Sequence, residues 1–240
     1  MAILGLIPAR GGSKGVLRKN IRLVAGRPLI AYTVEAAKRS RTLTHIVAST
    51  DDPEIASIAE RLGSRVLLRP ASLAADETPM VAVVQHALAF LEPTLGRFDG
   101  VAILQPTTPL RTADDIDAAL NILITSGAES VVSVYAVGDG HPARMYRLLE
   151  ERLIPYESEP PERLRQGLPA LYHRNGAIYA CRRHVIDDQH TLIGRDARPY
   201  LMPRARSLNI DDEFDLLVAD LLIQQLRRSP SGMAASHAHS

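Results

Sequence analysis

Apolar residues fall into two alternating patterns along the chain. Short runs at 2–8 (AILGLIP), 45–50 (HIVAST), 65–68 (RVLL), 100–105 (GVAILQ) and 130–136 (SVVSVYA) are apolar at consecutive positions, the mark of strands covered on both faces. Between them, 28–41, 52–63, 78–92 and 113–126 carry apolar residues three and four positions apart, which predicts helices with one buried stripe. Asp52 and Pro53 open the second helix and Gly63 closes it, the polarity expected of helix caps. Strand and helix alternating in this way predict a doubly wound α/β fold with a mostly parallel sheet and helices on both sides. Ligands in such folds bind beyond the carboxyl ends of the strands.

From about 138 to 172 the pattern breaks. Prolines at 142, 155, 160, 161 and 169 interrupt charged stretches, so this segment reads either as a surface insertion or as an arm that packs on a second subunit. NGAIYAC (175–181) reads as a turn and a returning strand, and 211–227 as a final amphipathic helix entered through an acidic cluster. Residues 1–228 are therefore expected to form a single domain, arm included. The last dozen, 229–240, lack apolar periodicity and are expected to be a disordered tail.

Composition narrows the class. With 240 residues, 46% of them hydrophobic, the chain can bury a substantial core, which excludes a disordered protein and a disulfide-stapled mini-scaffold. Its 28 basic and 27 acidic residues nearly cancel, so it lacks the broad positive field that non-specific nucleic-acid binding needs. The one cysteine, Cys181, can form neither an intrachain disulfide nor a metal cluster, and its apolar neighbours mark it as a small buried hydrophobe in a reducing compartment. The opening lacks the make-up of a signal peptide, and no later run approaches the roughly 18 apolar residues of a membrane span. The expectation is a soluble cytoplasmic protein with no membrane or nucleic-acid partner.

The basic residues are unevenly typed: 25 are arginine and three are lysine, and two of the lysines, Lys14 and Lys19, fall in the loop PARGGSKGVLRKN (8–20) after the first strand. Its glycines (Gly11, Gly12 and Gly15) let backbone N–H groups approach an anion, and Arg10, Lys14, Arg18 and Lys19 supply positive charge. The glycine spacing fits neither the dinucleotide fingerprint nor the Walker loop. Residue types alone leave two readings, a phosphate cradle and a flexible basic turn.

The strings ARGGSKG…RKN, GRPLIAYT (26–33), STDDPEIA (49–56), LRPASLAADE (68–77), LQPTTPLRTADDID (104–117), SVVSV (130–134), RQGLP (165–169), NGAIY (175–179) and LNIDDEFD (208–215) together resemble the acylneuraminate cytidylyltransferase family, in order and at family-like spacing over roughly 3–223. The resemblance implies a Rossmann-like nucleotidyltransferase fold with a small projecting dimerisation arm. It implies transfer of CMP from CTP to the anomeric 2-hydroxyl of a sialic-type nine-carbon 2-keto acid, with Mg²⁺ as cofactor and release of pyrophosphate by a homodimer.

Carried over residue by residue, the resemblance gives Arg10 and Lys19 the triphosphate, with Asn20 framing the nucleotide pocket and Gly11, Gly12, Ser13 and Lys14 completing the loop. Cations fixed there would stabilise the charge that builds on leaving pyrophosphate. Arg69 is placed near the nucleotide; its alternative is a surface arginine neutralising Asp76 or Glu77. Many members have a Ser-rich segment after that aspartate, and here Thr78 alone offers a hydroxyl. Gln105 matches the strand-end glutamine of LQPTSPLR and is expected in the nucleotide and sugar site, while Thr107, Thr108 and Arg111 read as architecture. Arg165 and Gln166 are expected to reach the sugar acid from the arm, in the neighbouring subunit's cleft, where an arginine fork suits a carboxylate. Asn175 matches the family asparagine, but His173 and Arg174 replace the Arg-Pro that often precedes it.

The family's Asp-Ile-Asp metal motif reads Asn209, Ile210, Asp211 here. Positions 209 and 211 of an extended segment face the same way, so Asp211 and Asn209 are the expected Mg²⁺ ligands, with a weaker site because one carboxylate has become an amide. Asp212 and Asp215 read either as compensating ligands or as first-turn helix acids. No general base stands out. The alternatives kept open are GTP with a legionaminate, CTP with an eight-carbon acid, and a nucleotide-binding homologue with impaired catalysis.

Overall fold

The computed structural model of the protein describes residues 1–157 and 168–228. The chain runs through β1 (Ile3–Pro8), a hairpin of β2 (Leu23–Val24) and β3 (Arg27–Pro28), α1 (Leu29–Arg39), β4 (His45–Thr50), α2 (Pro53–Arg61), β5 (Arg65–Leu68), α3 (Met80–Leu95), β6 (Gly100–Ile103), α4 (Ala113–Thr125) and β7 (Ser130–Ala136). Then come β8 (Tyr146–Leu149), β9 (Arg152–Pro155), β10 (Tyr172–Arg182), α5 (Arg183–Asp187), β11 (Ala197–Leu201) and α6 (Glu213–Arg228).

Seven strands form the central sheet in the order β11-β7-β10-β6-β1-β4-β5. Every neighbouring pair is parallel except the two made by β10, which runs antiparallel to both β6 and β7. The doubly wound, mostly parallel α/β fold expected from the alternation is the fold observed. One face packs Ile3, Ile7, Ala48 and Ala102 against Ile30 and Val34 of α1, Ile55 of α2 and Leu120 of α4. The other packs Leu4, Leu6, Val47 and Val101 against Val84 and Leu88 of α3 and Val185 of α5. Both faces of the inner strands are thus dry, which is why their sequences run apolar without alternation.

Caps hold the helices where the sites need them. Asp52 accepts from the Glu54 and Ile55 N–H groups at the start of α2, and Thr112 and Asp115 form a reciprocal capping box at the start of α4. The final helix begins at Glu213, two residues later than expected, because Asp211 and Asp212 belong to the extended segment before it.

Several elements were not legible in the sequence. Inside the irregular arm, β8 and β9 form a hairpin whose turn residues, Glu150 and Glu151, both have positive φ; without an Asn-Gly or Asp-Gly pair there is no sequence signal for such a turn. NGAIYAC is not a turn followed by a strand but the bulged middle of an 11-residue strand: residues 175–178 of β10 stand opposite the single residue Ser133 of β7. Arg165, Gln166 and the tail at 229–240 lie outside the described residues. Among those described, no helix is long and apolar enough to cross a membrane. Burial pushes the Cys181 thiol up to about 12, so it packs as a hydrophobe.

Candidate active site

Because β1, β4, β5, β6 and β11 share one direction, their carboxyl ends meet at one edge of the sheet. That edge carries the loop at 8–20, Asp51, Arg69, Gln105 and the segment at 207–212. Antiparallel β10 brings its beginning, not its end, to the same place, and so adds His173, Arg174 and Asn175.

A cleft of about 450 Å³ opens there. It is lined by Arg10, Ser13, Lys14, Lys19, Asn20, Arg69, Thr78, Gln105, Asn209 and Asp211, ten positions singled out from the sequence. Four cations (Arg10, Lys14, Lys19 and Arg69) face two carboxylates (Asp76 and Asp211). This excess of positive charge suits a polyanion.

The loop is fixed by its own residues. Asn20, buried, donates to the Arg10 carbonyl at 2.9 Å, and the Gly11 N–H donates to Asp51 Oδ1 at 3.1 Å. Arg18 pairs with Asp52 at 3.0 Å and Glu54 at 2.8 Å, so it clamps the loop to α2 and leaves the cleft to the other three loop cations. Lys19, on a short 3-10 turn, donates to the carbonyls of Ile210 at 2.6 Å and Asp211 at 3.3 Å, and its ammonium lies 3.8 Å from Asp211 Oδ1. Gly15 packs on the same segment so closely that a Cβ would lie 2.0 Å from the Asp211 carbonyl oxygen. Gly11 is limited by Asp52, whereas a Cβ on Gly12 would meet nothing within 4 Å. Neither Gly11 nor Gly12 lines the cleft.

Asp76 is the loop's main partner across the cleft. It pairs with Arg10 at 2.5 Å and Lys14 at 2.7 Å, and first Lys14, then Arg10, hold its carboxyl below the usual range. The suggestion that Arg69 neutralises Asp76 or Glu77 is therefore incorrect. Arg69 is buried, 3.9 Å from Asp51, with its Nε unpartnered; burial lowers its pKa, with Asp51 opposing. An unsatisfied buried guanidinium is costly unless an anion completes it. Thr78 donates its hydroxyl to the Ser72 carbonyl at 3.2 Å.

Asn209 and Asp211 do face the same way: the Asn209 amide nitrogen donates to Asp211 Oδ2 at 2.7 Å, leaving Asn209 Oδ1 buried without a partner. Turning the amide over would place two oxygens about as far apart as neighbouring ligands on Mg²⁺, whose ligand distances are about 2.1 Å. The pair thus fits a cation that draws its remaining ligands from phosphate and water. Asp215 instead accepts from the Asp211 and Asp212 N–H groups, and Asp212 from the Asp215 N–H, so these two cap α6. The Ile210 N–H donates to the Thr107 carbonyl at 2.8 Å, which locks this segment to the turn after β6.

Two residues behind the cleft shape its backbone, Arg111, read from the sequence as architecture, and Asn175. Arg111, fully buried, donates to the carbonyls of Gln105 at 3.1 Å and Ala177 at 2.8 Å and to Thr33 Oγ1, and burial lowers its pKa to about 9. It fixes the backbone under Gln105, whose side-chain amide makes no hydrogen bond among the described residues. Asn175, placed in the binding set by resemblance, is turned inward. Its side chain accepts from Ser133 Oγ at 2.6 Å and the Ala177 N–H, and donates to Ser207 Oγ and Met202 Sδ. That network holds the β10 bulge, where Gly176 (φ +76°) lies against Gln105 and Asn209. Spacing within a strand could not have revealed it, because the bulge breaks the two-residue alternation.

Two further cavities adjoin the cleft. One, of about 340 Å³, continues past Gln105 between Met80, Ile103, Tyr179, Leu192 and Ile193; the other, of about 650 Å³, continues past Asn209 and Asp211 toward Arg204. Arg174 lines both.

The sequence model of the family described as Cytidylyltransferase matches residues 4–194. The N-acylneuraminate cytidylyltransferase of Escherichia coli O18:K1:H7 is 33% identical over 94% of this chain, which spans only 53% of that longer protein. The CMP-N,N'-diacetyllegionaminic acid synthase of Legionella pneumophila is 33% identical over 93% of this chain and 97% of its own. Among solved structures, a CMP:2-keto-3-deoxy-manno-octonic acid synthetase complexed with CTP superposes with a TM-score of 0.71 at 17% identity, covering 94% of this chain and 99% of that one. This last likeness is one of fold.

Proposed function

Because the chain belongs to the cytidylyltransferase family of nucleotidyltransferases, we propose that it moves CMP from CTP to the anomeric 2-hydroxyl of a sialic-type nine-carbon 2-keto sugar acid and releases pyrophosphate. The observation that carries this reading is the cleft itself: four cations, one of them the buried Arg69 guanidinium with its Nε unpartnered, gathered at the carboxyl edge of the sheet beside a half-apolar cavity that shares Gln105. The triphosphate takes the cationic end, against Arg10, Lys14 and Lys19. The sugar acid takes the cavity past Gln105, whose Tyr179, Leu192 and Ile193 suit acyl substituents.

In the reaction the 2-hydroxyl oxygen bonds to the α-phosphorus, the bond from that phosphorus to the bridging oxygen breaks, and the hydroxyl proton passes to solvent. Lys19 is anchored by two carbonyls and keeps one N–H for phosphate. With Arg10 it meets the charge that grows on the leaving pyrophosphate, from positions set before substrate arrives. Gln105 orients the acceptor on a backbone fixed by Arg111. Mg²⁺, held by Asp211 and Asn209 with phosphate and water, would neutralise phosphate charge.

The test is pyrophosphate release with each nucleoside triphosphate, Mg²⁺ and a panel of nine- and eight-carbon 2-keto acids, with products identified by mass spectrometry. Release with CTP and a nine-carbon acid supports the reading; release with GTP alone, or with the eight-carbon acid alone, overturns it. Asn209→Asp tests the metal pair. It should lower the Mg²⁺ concentration for half-maximal rate about tenfold, the worth of one added carboxylate ligand near ~1.4 kcal/mol. A dead parent enzyme revived by the same change would make the natural protein an impaired homologue.

Asp76 sits where phosphate should bind. Asp76→Asn frees Arg10 and Lys14 and is expected to lower the KM for CTP by about 3- to 10-fold, more at low salt; a raised KM would make Asp76 a nucleotide contact instead. The arm supports a homodimer, because β8 and β9 expose Tyr146, Leu148, Leu149, Leu153 and Ile154 on a two-stranded hairpin that cannot bury them alone. Light scattering should give about twice the 26.2 kDa chain mass. Arg165 and Gln166 are proposed to reach the sugar acid from this arm.

A further inference from the structure

Asp115 sits at the start of α4, 1% exposed and outside the cleft, and it collects more donors than a helix cap requires. Its Oδ2 completes the capping box by accepting the Thr112 N–H and hydroxyl, both at 2.9 Å. Its Oδ1 accepts from the Tyr200 hydroxyl at 2.8 Å and from Arg206 Nη2 at 2.6 Å, while Arg206 Nε reaches Oδ2 at 3.2 Å. Burial pushes this carboxyl up, yet Arg206, Thr112 and Tyr200 together hold it below the usual range, so it stays ionised below the surface. A buried ion pair adds little net stability, because desolvation offsets most of its attraction. Its consequence here is geometric.

Arg206 ends a 3-10 turn over Arg204–Arg206, closed by the Arg206 and Ser207 N–H groups on the Pro203 and Arg204 carbonyls, each at 3.0 Å. Asn209 follows three residues later, and the Ile210 N–H then binds the Thr107 carbonyl at 2.8 Å. Two covalent stretches, 107–115 and 206–210, are thus tied at both ends, Arg206 to Asp115 and Ile210 to Thr107, into a closed ring that contains Asn209. Among the described residues, Arg206–Asp115 and Lys19–Asp211 are the ion pairs that reach 203–212. Asn175 adds a neutral bond to the Ser207 hydroxyl at 2.9 Å, but a hydroxyl turns on its own bond, whereas a fork on both oxygens of a carboxylate fixes direction. A segment tied at both ends cannot pivot about either; tied only at Ile210, it can carry Asn209 away from Asp211.

We infer that Asp115 is a positioning residue that, through Arg206, holds Asn209 beside Asp211 for a shared cation while touching neither cation nor substrate. The inference rests on the metal pair proposed above and adds the residues that set its geometry.

Asp115→Asn and Arg206→Met break the tie, and Arg206→Lys keeps its charge without the fork. Asp117→Asn is the control: Asp117 is a second buried carboxylate of α4, with its partners in Ser40, Arg41 and Thr42, so its loss weakens the fold and leaves the ring whole. Three quantities are measured on each full-length protein. They are the Mg²⁺ concentration for half-maximal rate with CTP and a nine-carbon acid; Mn²⁺ affinity with CTP by proton relaxation enhancement, which separates Mn²⁺ on the protein from Mn²⁺ on free CTP; and amide exchange of 207–211 without metal or nucleotide. Breaking the tie is expected to weaken Mn²⁺ binding and raise the Mg²⁺ requirement about 10- to 100-fold, and to speed exchange at least about tenfold. Arg206→Lys should fall between. Asp117→Asn should lower the melting temperature and leave all three quantities as they were. Natural Mn²⁺ affinity and exchange in Asp115→Asn and in whichever Arg206 variant folds, or equal changes in Asp117→Asn, overturn the inference alone. In a protein without turnover, Mn²⁺ affinity and exchange decide it. If the natural protein binds no Mn²⁺ beyond that on free CTP, the metal pair and the inference fall together.

Discussion

Lys19→Met is expected to lower kcat/KM about 10³-fold while leaving the fold intact. The Lys19 side chain is 12% exposed and its ammonium is held by two carbonyls of the segment that carries Asp211, so it is a fixed charge in a partly dry site rather than a solvated loop lysine. Removing one preorganised group that meets developing charge costs on the order of 3–4 kcal/mol in the transition state. The structural cost is smaller: two carbonyls lose a donor, about 1 kcal/mol each. Steady-state kinetics alongside a thermal melt separates the two. A melt lowered by more than about 15 °C would show that Lys19 acts mainly by tying the first loop to the last segment.

Gly15→Ala should be nearly as damaging, for a different reason. An added methyl would lie 2.0 Å from a backbone oxygen, that of Asp211, and neither backbone has a flexible end to swing aside. The first loop and the 209–211 segment would have to separate by about 1 Å, and misplacement on that scale costs about 100-fold in rate. Gly12→Ala is the control within the same loop, because its methyl meets nothing within 4 Å and should cost at least tenfold less. Equal losses from both would mean that substrate needs the whole loop backbone bare, and that the approach of Gly15 to Asp211 is incidental.

The two predictions also explain an oddity of composition. In a chain of 25 arginines and three lysines, two lysines fall in the first loop, and the structure separates them. Lys14 is solvent-exposed and reaches Asp76, while Lys19 is nearly enclosed and wedged against the last segment. A compact ammonium with three donors can sit between two carbonyls and still offer a third bond, which a planar guanidinium in so small a space cannot do as well.

The chain alone determined what depends on local order. Apolar runs and helical spacing gave five of the six parallel strands, the four main helices and the edge at which ligands bind, because burial on both faces of a strand leaves its mark residue by residue, which the exposed edge strand β11 lacks. Motif order also gathered most of the cleft: ten of the positions read from sequence line it. Tertiary structure decided how those residues are used. Asn175, expected to contact substrate, lines the larger cavity beside the cleft while its side chain is held by Ser133 and Ser207 at the β10 bulge, which breaks the alternation that spacing assumes. Arg18 joins α2, Arg69 faces Asp51, and Asp76 holds Arg10 and Lys14. Arg111, read as architecture, donates to the Gln105 and Ala177 carbonyls and to Thr33 across three elements. Each of these outcomes is a contest among charges and donors brought together from distant parts of the chain, and electrostatic pairing depends on separation in space, which a sequence does not contain.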